Sequence, residues 1–349
     1  MSFRHFWHQT LRMPHRRREK RSAIPEFVTT DDNTKPQGAD KAEDFAKMDE
    51  IQLSRHNNRR EASQGISEIT QGLYSLASSH VDQQHLDRLG IVSETLVLGI
   101  YDARKYFYKP QFVSWVRSHP PDMGEPLVRQ EVEAMQRVWL INDKESVAEE
   151  SGADVLGSHL AIEFDQYERL PEGCGSLDMM SGWTEMGLDE GVLRSRFMTP
   201  RVFAAGEDSN PLAPWATEIV AAWARDPEMD DEKPLSPHII VLLTHNHPPV
   251  NELLRTELLI ALGVTRTRLG VFKEHEIGPV MLISCFNGTK ARIIQAHYQT
   301  GQMIVFKSDI YAFNSPESRE DNVPLFLAYF ASEPAGNTRH MRPELEESD

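Results

Sequence analysis

The chain has 349 residues, a net charge of −16 and 40% apolar residues, length enough for one large domain or two ordinary ones with a real core. No window approaches the ~18 continuous apolar residues of a membrane span, so no membrane partner is expected. Two cysteines, Cys174 and Cys285, are too few for a disulfide framework or a Cys-x-x-Cys zinc site, and they suit a reducing compartment.

Residues 1–21 hold seven Arg or Lys and one acid, Glu19, a local charge of +6 that leaves −22 on the remainder. An acidic body repels phosphate backbones, so nucleic acid is not an expected partner except through residues 1–21. The run from Arg16 to Arg21 resembles a nuclear-import cluster. The Arg-rich start also fits a mitochondrial presequence, and no apolar segment suited to secretion is present. The expected compartment is nucleus or cytoplasm, with mitochondrion as the alternative. Residues 1–60 are polar and short of aliphatics, and read as a disordered basic head and linker.

Residues 61–235 read as mainly helical. Ile66, Ile69, Leu73 and Leu76 share one face at helical spacing. A second helix is expected from Ser93 to Tyr108, stopped by Pro110. A third runs from Pro126 to Ile141, with Val128, Val132, Met135 and Trp139 in a stripe. After an acidic stretch and loop signals around Pro171 and Pro211, Trp215–Arg225 is expected to form a short helix. The acidic loop from Asp226 to Pro234 makes a natural joint near residue 235.

Residues 236–335 read as an α+β meander region. A buried strand spans 238–244 and a helix 251–262. Val280–Phe286 precedes Asn287-Gly288, the strongest short hairpin signal, and Ala291–Tyr298 is the return strand. Thr300-Gly301 turns into Gln302–Lys307, and Asp309–Phe313 continues extended. A helix over Val323–Ser332 is expected to cover one face. Residues 336–349 read as a disordered acidic tail. The fold class is therefore α+β: a helical N-terminal half and a C-terminal antiparallel β-meander with covering helices.

The chemistry-bearing feature is His245-Asn246-His247-Pro248-Pro249 at the end of the 238–244 strand. In extended chain, residues i and i+2 point the same way, so two imidazoles there can face one metal ion. The bland alternative is a strand-to-helix turn. Strand followed by His-x-His-Pro resembles the JAMM and RadC-type metalloproteins over Leu242–Pro248. The resemblance implies zinc, a third ligand downstream and a general-base glutamate upstream. Where the family's downstream serine and aspartate would fall, this chain has Arg255 and Leu258. Glu257 is the nearest candidate third ligand, one residue or about 100° out of phase on a helix. Glu163, read as strand-borne, is the candidate base. On this alternative the metal site is His245, His247 and Glu257, the cofactor Zn and the activity that of an isopeptidase.

No phosphate-binding glycine loop, nucleophile elbow or kinase signature occurs. The stretch from Ala291 to Thr338 also resembles uncharacterised proteins of filamentous fungi, a likeness that implies no catalytic signature. The leading expectation is a non-enzymatic intracellular protein-interaction module with no cofactor and a protein partner.

Overall fold

A computed structural model describes residues 50–144, 148–185, 215–223 and 236–339; all fall within one compact unit, Met48–Asp349. Of the expected disordered head, residues 1–49 lie outside the described residues. Residues 50–60 are helical: α1 spans Glu50–Tyr74. Ala62, Ile66, Ile69 and Leu73 form its buried stripe. Gly65 lets it approach the sheet, because a Cβ there would collide with the Tyr298 ring.

After β1 (His80–Val81) comes α2 (Gln83–Arg88), whose N-cap Asp82 accepts a hydrogen bond from the His85 N–H. The helix expected over Ser93–Tyr108 is instead strand β2 (Ile91–Thr95) followed by loop. Ile91, Val92 and Thr95 are β-branched, and they pair in parallel with a later strand. Gly99, at φ +84°, leaves helical geometry altogether. β3 (Tyr108–Lys109) and α3 (Val113–Ser118) follow.

The expected third helix is present as α4 (Pro126–Lys144), with Val128, Met135 and Trp139 buried. The acidic stretch behind it forms α5 (Ala148–Asp165), and α6 (Leu177–Ser181) ends at left-handed Gly182 before β4 (Trp183–Glu185). Trp215–Trp223, expected as a helix, is strand β5. Trp215, Thr217, Ile219, Val220 and Trp223 favour extended chain, and antiparallel pairing with a fully buried neighbour overrides the helical spacing of its apolar residues.

That neighbour is β6 (Ile239–His245), every residue of which is buried. β7 (Leu253–Leu254) pairs with β1, so the helix expected from residue 251 starts later, as α7 (Arg255–Val271). The meander is as expected. β8 (Val280–Phe286), β9 (Lys290–Gln299) and β10 (Gln302–Lys307) run antiparallel, joined through Asn287-Gly288 and Thr300-Gly301. β11 (Tyr311–Ala312) adds to β9, α8 (Pro316–Phe330) is capped by Ser315, and β12 (Glu333–Pro334) pairs with β3. The expected tail is not free at its start: Thr338 accepts the Glu276 and Ile277 N–H groups.

The main sheet runs β2-β10-β9-β8-β6-β5-β4. It is mixed, with β2–β10 and β6–β8 parallel and the remaining pairs antiparallel. It also crosses the joint expected near 235: β2, β4 and β5 precede that residue, so the first half supplies strands as well as helices. One face carries Ile239, Val241, Leu243, Val280, Leu282, Ile294, Ala296, Met303 and Val305, packed under α1 and α7. The other is covered by α5 and α8, which meet through the stacked rings of Phe164 and Phe330. β6, α7 and β8 thus form a strand-helix-strand unit. Chemistry in such units collects at the carboxyl ends of the strands, where His245 stands.

Candidate functional site: a closed ionic centre

His245 ends β6 on the side covered by α7. It is 0% exposed, stacks against Phe286 at 5.6 Å, and neither ring nitrogen has a hydrogen-bond partner. Burial pushes its pKa down to about 4, with Glu257 opposing the shift, so the imidazole is neutral at physiological pH.

Glu257 lies in the first turn of α7, and its Oε2 accepts the Leu254 N–H at 2.7 Å. Arg292, from β9, donates Nε–H to Oε1 at 2.9 Å and Nη2–H to Oε2. Both side chains are essentially inaccessible to solvent. Burial pushes the Glu257 carboxyl up, but the charge and hydrogen bonds of Arg292 outweigh it and hold the group below its ordinary value. The remaining Arg292 donors reach the carbonyls of Val250 (3.0 Å) and Glu252 (2.9 Å). Lys307 donates to the Asn251 carbonyl. Arg292, buried on β9, and Lys307, partly exposed on β10, therefore pin the loop between β6 and α7.

His247 points into a different set of contacts. Its Nδ1–H donates to the Pro248 carbonyl at 2.5 Å, and Nε2 accepts from Ser79 Oγ at 3.4 Å. The chain leaves β6 at His245, so the extended geometry needed to align both imidazoles stops one residue too early. Arg255 and Leu258 are both buried. Arg255 donates to the Leu76 carbonyl, and Leu258 belongs to the core.

Glu163 sits on a helix, α5, across the sheet from His245 rather than on a strand. Its carboxylate is paired with Arg169 Nη2 at 2.7 Å. Among the described residues, no three His, Cys, Asp or Glu side chains are grouped so as to hold a metal ion. The donor chemistry agrees: Glu257, the expected third ligand, has both oxygens engaged, with a guanidinium where a cation would have to sit. This set does not fit a zinc centre. Arg292, which organises the site, was missed by the sequence reading. The available signal was an arginine on the inward face of a strand.

A second polar centre lies under α4 and α5. His159 meets Trp139 edge to face at 5.7 Å, and Arg319 lies 4.5 Å from the Trp139 ring centre. Nearby, Asp165 ends α5 with one oxygen unpartnered. Burial, then the charges of Glu185 and Asp178, push its pKa up to about 8. No helix among the described residues is long and apolar enough to cross a membrane. No family model matches the chain, and neither a curated protein nor a solved structure matches it.

Proposed function

We propose that the chain is a non-catalytic protein-interaction module, with the His245 centre serving as architecture. The observation that carries this reading is the Glu257–Arg292 pair. It closes the strand end at which a ligand would enter, and it spends the nearest carboxylate on holding the 250–252 carbonyls. The basic run from Arg16 to Arg21 supports action in the nucleus or cytoplasm, and the −16 net charge favours a protein partner over nucleic acid. The alternative, a zinc-dependent isopeptidase using His245 and His247, is separated by metal analysis. Purified protein incubated with zinc and desalted is expected to retain none, and its melting temperature to stay unchanged. About one zinc per chain, lost in His245→Ala, would overturn the proposal.

A further inference from the structure

Four arginines are buried among the described residues, and three of them have their charge accounted for. Arg292 pairs with Glu257, and Arg169 pairs with Glu163. Arg268 stands in the last turn of α7, where the helix dipole favours a cation. It donates Nε–H to the Pro237 carbonyl at 3.1 Å and Nη2–H to the Ser236 carbonyl at 3.2 Å, and lies 4.2 Å from the Phe272 ring centre. Arg255 is the exception. It is 3% exposed, and no carboxylate among the described residues pairs with it. Burial lowers its pKa, and the neighbour opposing the shift is the Tyr74 hydroxyl. Its Nη1–H donates to the Leu76 carbonyl, while its Nε–H has no partner. It also opens α7, a helix of 17 residues, at the end where the dipole favours negative charge. A buried cation at the positive end of a helix, with a donor to spare, lacks an anion.

The groups around Arg255 indicate where the anion enters and of what kind it is. The Arg255 N–H donates to the Ser79 carbonyl at 2.8 Å, so the loop from Leu76 to Ser79 lies against both the backbone and the side chain of Arg255. Ser79 Oγ is 3.4 Å from His247 Nε2, and both residues are half-buried, which leaves this side of the loop open to water. The next N–H of α7, that of Thr256, has no acceptor within the helix. Glu257 adds no net charge, because Arg292 cancels it. The available donors are thus a guanidinium Nε–H, a helix N–H and a hydroxyl, in the first turn of α7 and the loop packed on it, with an imidazole at the rim. Donors held by separate chain segments suit a tetrahedral oxyanion, whose oxygens accept from several directions, better than a planar carboxylate. The outcome is one unbalanced positive charge at a solvent-facing helix end on a chain of net charge −16.

We propose that the amino end of α7, with Arg255, Ser79 and His247, is a binding site for a phosphate group, a site that goes beyond the interaction-module reading and stands without it. Thermal melts of the full chain in inorganic phosphate, up to ~20 mM, are compared with melts in acetate and chloride at matched ionic strength. Phosphate is expected to raise the melting temperature along a saturable curve, and the other two salts to leave it unchanged. Arg255→Met should weaken phosphate binding by about tenfold or more. Ser79→Asp tethers a carboxylate where the anion would sit. It is expected to melt above the wild type in chloride and to lose the phosphate response. No rise with phosphate, or an equal rise in all three salts, overturns the proposal, as does a phosphate response that Arg255→Met leaves intact. Should Arg255→Met fail to fold, Ser79→Asp decides alone, and its failure on either count overturns the site. A peptide carrying one phosphoserine, titrated beside its unphosphorylated form, distinguishes the source of the phosphate. Binding at least as tight as that of inorganic phosphate assigns the site to a phosphorylated partner chain. A peptide that is excluded while inorganic phosphate binds assigns it to a free phosphate compound.

Discussion

Glu257, fully buried, and Asp165, partly buried, are both acids at a helix end, the first in the opening turn of α7 and the second at the last residue of α5. At the start of α7 the free N–H groups favour negative charge, and Leu254 N–H and Arg292 complete the match. At the end of α5 the free carbonyls disfavour it. The charged groups facing Asp165 from α4, α6 and β4 are all acids: Glu131, Asp178 and Glu185. The same chemical group is therefore held as an anion in one place and driven toward its neutral acid in the other. Helix polarity and the sign of the neighbours decide which, and burial raises the stakes in both.

The largest effect is expected from breaking the matched centre. Arg292→Met leaves Glu257 buried without its cation and frees the loop carbonyls of residues 250–252, at a cost of about 3–5 kcal/mol in urea unfolding. Adding Glu257→Gln should recover part of that loss, because the uncompensated charge goes with it. Equal losses in the single and double variants would mean that the pair contributes only packing.

The unmatched centre should respond with the opposite sign. The folded pKa of Asp165, about 8, lies above the ~3.9 of an unfolded aspartate. Its contribution to stability is thus full below pH ~4 and is lost as pH rises from there to about 8. Asp165→Asn removes that loss. The variant is expected to match the wild type at pH 4 and to exceed it by roughly 2–4 kcal/mol at pH 8. A gain of the same size at both values would assign the effect to packing instead of titration.

The two centres differed in how far the sequence disclosed them. The hairpin at Asn287-Gly288, the apolar run of β6 and the stripe of α4 were readable because turn chemistry and periodicity act locally. β5 was not: Trp215, Ile219, Ala222 and Trp223 fall at helical spacing, and only pairing with β6 makes them a strand. Glu257 and His245 were readable as residues but not in their roles. Their chemistry is set by Arg292, separated from Glu257 by 35 positions and brought to it by the β8–β9 hairpin. Asp165 was invisible for the same reason, since its acidic neighbours come from three other elements.

His245 gives the finest test of the contrast, because it sits inside the matched centre without sharing in its bonds. Its ring nitrogens have no partners, and its pKa of about 4 lies below the ~6.5 of an unfolded histidine. The unfolded chain therefore binds a proton that the folded chain refuses between those two values, and stability falls as pH drops through that window. His245→Phe keeps a ring against Phe286 and removes the titration. Its stability relative to wild type should rise by about 1–2 kcal/mol between pH 8 and pH 5, read as the difference between paired melts so that other groups cancel. A difference that does not change with pH would show that the imidazole takes up its proton in the fold, through Glu257, and that the centre is less closed than its bonds imply.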